Sequence, residues 1–314
     1  MNFAVVGATG LLGQEFLSLA NASSLNVRSF GRQNLSFEGN PETIARTIGE
    51  TDVIINCVAY TAVDLAESNP DDAFLVNHLY AEKLAMAAKL IGARFMHVST
   101  DYVFDGDKYG FYLEDDLRNP LGVYGKSKAA GEEAIAREFV NSTAGQYAIF
   151  RTSWVYGDGG NFIRTILRLA KDREELKIIA DQFGVPTSAE WLAQISLSLA
   201  LNNRGQLNTF PSGIYHAVPA GETTWHGLAQ SAIKAAIALG VKLKAEPEAI
   251  KAIPAVEYPL PAPRPMNSRM STDKLQSVLS LSNSYNDVLK DQSFPHWEPM
   301  VHEYIHKLAS NGLI

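Results

Sequence analysis

The chain has 314 residues, 46% of them hydrophobic and 19% charged, with a net charge of -7. That length accommodates one large α/β domain and a smaller one with a sizeable core, and the acidic balance argues against nucleic acid as a partner. No run approaches the roughly 18 apolar residues of a membrane span, and a lone cysteine, Cys57, excludes an internal disulfide, so a cytoplasmic protein with a buried thiol and no membrane contact is expected.

The opening segment, MNFAVVGATG, runs straight into an apolar strand pattern without the basic stretch and cleavage site of a signal peptide. VVGATGLLGQE then places Gly7, Gly10 and Gly13 between a strand and a helix, with Thr9, Leu11 and Leu12 among them. Glycines there let the backbone turn tightly and approach a pyrophosphate at the helix N-terminus, so these six residues are candidate dinucleotide contacts. After the second strand, where an acid would bind a free ribose 2′-hydroxyl, VRSFGRQN supplies Arg32, which can pair with a 2′-phosphate. NADPH is therefore favoured, with NADH as the second choice.

Short apolar runs continue to alternate with helical patterns: DVIINCVAY before AFLVNHLYAEKLAMAAKLIG, then ARFMHVST before a loop and a helix, then QYAIFRTSWVYG. This is the pattern of a doubly wound parallel sheet of Rossmann type. The character changes near Asp158, so residues 1–157 read as the dinucleotide-binding domain. Residues 158–314 read mainly as a smaller substrate-binding lobe, interleaved with the sheet.

NPLGVYGKSKAAGEEA contains the one Tyr-x-x-x-Lys of the chain, Tyr124 with Lys128, at the start of a predicted helix. That spacing sets both side chains on one helical face. Two other signals point to metals and are outweighed by plainer readings. HEYIH, from His302 to His306, fits a zinc-protease spacing, yet it also reads as an amphipathic helix with Trp297, Val301 and Ile305 on its apolar side. DGDKYGFYLEDD approaches a calcium loop, but Tyr109 stands at a ligand position and the last acid is Asp116.

Taken together, GATGLLGQE, INCVAYTAVDLAES, VSTDYVFDG, NPLGVYGKSKAAGE, RTSWVYG, DQFGVPTSAE and RPMNSRMSTDKL resemble the extended short-chain dehydrogenase/reductases. Within them the order of motifs is similar to the dTDP-4-dehydrorhamnose reductases. Departures lie mainly at residues 26–49 and 230–259. The resemblance implies a catalytic trio of Thr100, Tyr124 and Lys128, acting with NADPH on the C4 keto group of a nucleotide-linked 4-keto-6-deoxy sugar. In that scheme Tyr124 is the general acid, and Lys128 sits beside its phenol and holds the nicotinamide ribose. Thr100 hydrogen-bonds the substrate carbonyl. Ala59, Tyr60 and Asn77 are implied on the cofactor side, and Tyr102, Trp154 and Arg264 on the sugar-nucleotide side. In some family members, glutamates resembling Glu15 and Glu190 help bind magnesium between two subunits, which makes non-catalytic magnesium and a homodimer further expectations. Two rival readings share the scaffold. A dehydratase or epimerase retaining NAD would follow the threonine with Asp-Glu, whereas here Asp101 precedes Tyr102. A non-catalytic subunit like the regulatory partner of methionine adenosyltransferase would not need the intact trio.

Overall fold

The computed structural model describes residues 1–23, 25–140, 145–202, 204–281 and 294–314. Its centre is a parallel sheet built from β1 (Asn2–Val6), β2 (Asn26–Phe30), β3 (Val53–Asn56), β4 (Arg94–Thr100) and β5 (Tyr147–Thr152), completed by the later strand Gly213–His216. The spatial order is β2-β1-β3-β4-β5 followed by Gly213–His216, and every pairing is parallel. The interior strands are buried on both faces and so are almost wholly apolar: Val53, Ile54 and Ile55 have at most 1% exposure.

Helices cover both faces. On one side α1 (Leu11–Ala22) lies with the helix Ala189–Ala200, and Phe16, Trp191, Leu192 and Ile195 pack on Phe3, Val5, Val53 and Phe150. On the other, α2 (Pro41–Ile48), α5 (Ala81–Ile91) and α6 (Val123–Phe139) bring Ile44, Leu84 and Ile135 onto Ala4, Ile54, Phe95 and Ile149. Between α2 and α5 the chain passes through two short helices, α3 (Val63–Ala66) and α4 (Pro70–Phe74), and a π-helical stretch, Leu75–Tyr80. The signals bounding α2 are local: Asn40 accepts from Thr43 N, Pro41 follows it, and Gly49 ends the helix at φ 64°.

A second cluster gathers Val103, Phe104 and Tyr112 with the helices Phe162–Asp172, Trp225–Ala238 and Trp297–Ser310. Two segments beyond residue 158, Ala189–Ala200 and Gly213–His216, belong to the sheet layer instead. The sequence lets them stray because Gly213–His216 is only four residues long and carries no periodicity that names its partner. Among the described residues no helix is long and apolar enough to cross a membrane.

The strand order reverses direction between β1 and β3, the crevice where ligands bind in open parallel sheets. The glycine-rich turn after β1, the segment after β3 and the end of β4 all emerge on that edge.

Candidate active site

The turn between β1 and α1 is built around backbone contacts that admit no side chain. Gly7 has φ 86°, and a Cβ there would stand 2.9 Å from Val58 N. At Gly13 a Cβ would meet the Gly7 carbonyl oxygen at 2.3 Å, so the helix can pack against the turn only as glycine. Gly10 is the N-cap of α1 and has no side chain to satisfy the first helical N–H groups. A helix N-terminus left uncapped in this way is suited to an anion such as a pyrophosphate.

Arg32 stands exposed in the turn after β2, with its guanidinium 5.3 Å from the Phe37 ring centroid. Gly7 N donates to Phe30 O at 2.8 Å, which ties the root of that turn to the glycine turn. Ala59 and Tyr60 follow β3, half-buried. Asn77, fully buried in the π-helical stretch, accepts from Tyr60 N at 2.8 Å and donates to Tyr60 O at 3.1 Å and to Ser127 Oγ at 3.0 Å. It therefore acts as a bracket between the segment after β3 and α6.

The end of β4 and the start of α6 carry the trio. Thr100 donates to Asp101 Oδ1 at 2.9 Å, and its oxygen accepts from Tyr102 N at 3.2 Å. Burial pushes the Tyr124 phenol up to about 12, and a hydrogen bond with Thr100 pulls it part of the way back. The phenol is thus protonated across the neutral range, as a proton donor must be. Its ring meets that of Tyr102 edge-on, with centroids 5.5 Å apart. Gly125 permits this approach, since a Cβ there would lie 2.2 Å from Tyr102 O.

Lys128 departs from the expected place. Instead of lying beside the phenol, Nζ donates to Val98 O at 2.6 Å and lies 3.1 Å from His97 Nε2. The side chain is 1% exposed, and burial pulls its ammonium down to about 8 despite the nearby Glu132 carboxylate. A strand carbonyl within reach is the physical reason, because a desolvated Nζ takes the available acceptor.

Several residues that support the trio are invisible to motif reading. Asp101 is 2% exposed, with its carboxyl pushed up to about 6 by burial even though Thr100 and Ser268 both donate to it. Glu132, one turn beyond Lys128, is wholly buried. Arg151 holds it through Nε to Oε1 at 2.9 Å and Nη2 to Oε2 at 2.7 Å, and Ser99 Oγ donates to it at 2.6 Å. The helix N-terminus is capped from outside: Glu67 Oε1 accepts from Val123 N at 2.8 Å. The one hint in the sequence is that Glu132 follows Lys128 by four residues, on the same helical face as Tyr124 and Lys128.

On the sugar-nucleotide side, Trp154 is the only non-glycine with positive φ among the described residues, at 46°. Its indole stacks on Trp225 with centroids 3.7 Å apart, over Gly184, where a Cβ would press into the ring at 2.6 Å. A bulky residue held in the left-handed region marks a place where surroundings override local preference. Arg264 is not presented as a free fork: Nη1 and Nη2 both donate to Asp64, at 2.9 and 2.8 Å, which holds the Asp64 carboxyl below its usual range.

The suggested metal residues lie elsewhere. Glu15 and Glu190 line a cavity of about 670 Å3 together with Asp158, Glu303, Tyr304 and Lys307. Lys307 Nζ donates to Glu190 Oε2 at 2.8 Å, and burial together with Glu190 pushes the Glu15 carboxyl up. Among the described residues no three acids, histidines or cysteines are grouped to hold a metal. HEYIH lies in Trp297–Ser310, whose Val301 and Ile305 are buried, while His302 Nε2 meets Ser231 Oγ at 2.9 Å and His306 is exposed. In the Asp-rich loop, Asp105 accepts from Tyr112 and Asn119, and Asp116 pairs with Lys108.

A glycine turn at the switch point of a parallel sheet, with threonine at the end of β4 and tyrosine and lysine on α6, defines an NAD(P)-dependent oxidoreductase of the short-chain dehydrogenase/reductase class. The family described as the RmlD substrate binding domain matches residues 1–308. The dTDP-4-dehydrorhamnose reductase of Escherichia coli strain K12 is 43% identical over 290 residues, covering 90% of this chain and 93% of that protein. Among solved structures, a dTDP-4-dehydrorhamnose reductase of Clostridium acetobutylicum superposes with a TM-score of 0.82 at 30% identity, over 98% of this chain and all of that one. The Bacillus anthracis reductase in complex with NADP gives a TM-score of 0.80 at 29% identity, over 98% and 99% of the two chains. The chain belongs to the dTDP-4-dehydrorhamnose reductase family.

Proposed function

We propose that the protein reduces the C4 keto group of dTDP-4-dehydro-L-rhamnose to give dTDP-L-rhamnose, with NADPH as the reductant. The observation that carries this reading is the meeting of Thr100 and Tyr124 at the open edge of the sheet, beside a glycine turn that would seat a dinucleotide. When bound, the dihydronicotinamide supplies the hydride. Gly7, Gly10 and Gly13 with the α1 N-terminus would hold its pyrophosphate, Arg32 its 2′-phosphate, and Ala59 and Tyr60, braced by Asn77, one side of the ring.

The remaining chemistry belongs to this chain. Thr100, turning its one proton away from Asp101 Oδ1, and the Tyr124 phenol would converge on the carbonyl oxygen, and Tyr124 would give up its proton as charge develops there. A phenol raised by burial stays protonated until that charge appears. Lys128, released from Val98 O, would bring positive charge to the phenolate left behind and to the nicotinamide ribose. The stacked Trp154 and Trp225 offer an apolar face to the sugar ring. Tyr102 would close the sugar site, and Arg264 would reach the diphosphate by exchanging Asp64 for it. In this reading residues 1–157 mainly serve the cofactor, and the cluster formed beyond residue 158 mainly serves the sugar nucleotide.

A cytoplasmic location and a homodimer belong to the same proposal. Magnesium enters no step of it, so a chelator should leave turnover intact. Metal-reversible loss of activity at unchanged oligomeric state would contradict that.

The test is incubation with dTDP-4-keto-6-deoxy sugars and NADPH, with and without a 3,5-epimerase, following cofactor oxidation and product stereochemistry. Turnover only with the epimerase present would support the proposed substrate. No oxidation with either sugar would refute it.

A further inference from the structure

His97 is a buried ionisable group that the proposed chemistry does not use. It lies in β4 without solvent exposure, its ring stacked beside Phe95 with centroids 6.3 Å apart. Nδ1 is 2.9 Å from Asn56 Nδ2, and Nε2 is 3.1 Å from Lys128 Nζ. The polarity of this row follows from its far end. Val58 N–H can only donate, and it donates to Asn56 Oδ1 at 3.0 Å. The amide therefore turns its NH2 group, which has only protons to offer, toward His97. Nδ1 must be bare to accept, so the neutral ring carries its proton on Nε2, aimed at Lys128. A doubly protonated ring would set N–H against N–H at both ends. An ammonium has no lone pair to receive the Nε2 proton, whereas an amine has one and can still donate to Val98 O.

We propose that His97, oriented by Asn56, is a positioning residue that accepts only uncharged Lys128 in the place beside Val98, so that protonated Lys128 is directed toward Tyr124 and the cofactor. The inference rests on the reading of Lys128 as the catalytic lysine and adds a device that couples its location to its proton. Other groups bear on the same ammonium. Glu132, on the same helix and paired with Arg151 of β5, favours the charge, as does Cys57 beyond β3, while burial opposes it. His97 in turn is held well below its usual range, by burial first and by Lys128 second. The Lys128 charge thus disfavours a second proton on the ring.

The tautomer can be read in the wild-type protein without turnover. A long-range proton–nitrogen correlation spectrum of the imidazole should show Nε2 protonated and Nδ1 bare through the neutral and alkaline range. Asn56→Asp supplies the complementary test. Its carboxylate would take Val58 N–H on one oxygen and accept Nδ1–H on the other, turning Nε2 into an acceptor that welcomes the ammonium. The alkaline limb of kcat should then move up by about one pH unit or more, and the neutral plateau should fall by a similar factor because part of the ammonium is kept beside Val98. His97→Gln, able to turn a carbonyl toward Lys128, should move it the same way. A wild-type ring protonated on Nδ1 would overturn the proposal, as would a limb that keeps its wild-type pH in both variants while turnover persists. If Asn56→Asp does not fold, the wild-type tautomer decides. Absence of turnover at every pH would instead remove the functional reading and leave the tautomer to judge the row.

Discussion

Around Glu132 each carboxylate oxygen has a buried partner, Arg151 or Ser99, with the partly exposed Arg118 adding a longer contact to Oε2, whereas Arg264 reaches across to Asp64 from a loop that is half open to solvent. The first arrangement lies between a helix and two sheet strands, the second between the short helix α3 and a loop. Groups that must meet a reacting bond within a few tenths of an ångström hang from the sheet and α6, and groups that select the sugar nucleotide hang from segments able to exchange partners. The difference predicts that damage to the first region removes chemistry or folding, while damage to the second changes preference.

Tyr124→Phe gives the largest effect on chemistry. The phenyl ring keeps its edge-on packing against Tyr102 and loses only the proton. We expect kcat to fall by about two to four decades, with NADPH affinity nearly unchanged. Cofactor titration beside single-turnover kinetics checks the split, and near-wild-type turnover would mean that the proton comes from another group.

Next is Glu132→Gln, which leaves Arg151 buried at 1% exposure without its charge partner. Breaking a buried pair from one side costs about 3 to 5 kcal/mol, read as a lowered denaturant midpoint. Replacing both residues together by apolar side chains should recover much of that loss. A single variant as stable as wild type would show that α6 is held by its apolar face alone.

Asp101 sharpens the comparison through pH. Its carboxyl stands at about 6 in the fold against an ordinary 3.8. A raised folded value means that the folded protein binds this proton more tightly, so the contribution is complete below about pH 4 and is lost as pH rises through about 6. Asp101→Asn should flatten that part of the stability profile, whose slope from one proton is at most about 1.4 kcal/mol per pH unit. An unchanged slope would assign it to other carboxyls.

The parts legible in the sequence are those whose partners are close along the chain. Gly7, Gly10 and Gly13 announce a turn, and Tyr124 and Lys128 share a face, because helix and turn geometry fixes both relations within a few residues. Arg151 and Glu132 lie 19 residues apart on different elements, and nothing local links them. The same holds for Asp64 with Arg264, 200 residues apart. Spacing places Lys128 on its helix but leaves its rotamer free, so the turn of Nζ toward Val98 O emerges only once β4 is beside it. Trp154 shows the opposite limit: its apolar ring is legible as a candidate sugar platform, whereas its φ of 46° and its stacking on Trp225 over Gly184 involve residues far along the chain.

The smallest effect belongs to Arg32, which has the least around it. It is exposed, and its contact is the face of Phe37 rather than a buried acceptor. A charged group so placed costs little to remove from the free protein. Its worth should appear only when a 2′-phosphate stands beside it. Arg32→Ala should therefore leave stability and NADH use nearly unchanged while lowering kcat/KM for NADPH. An arginine–phosphate bond of roughly 1.5 to 3 kcal/mol corresponds to a narrowing of the NADPH-to-NADH ratio by about one to two decades. Parallel kcat/KM measurements with the two cofactors at fixed sugar concentration give the ratio directly. If wild type and variant show the same ratio, Arg32 is a surface charge resting on an aromatic ring, and selection between the cofactors lies in another part of the turn after β2.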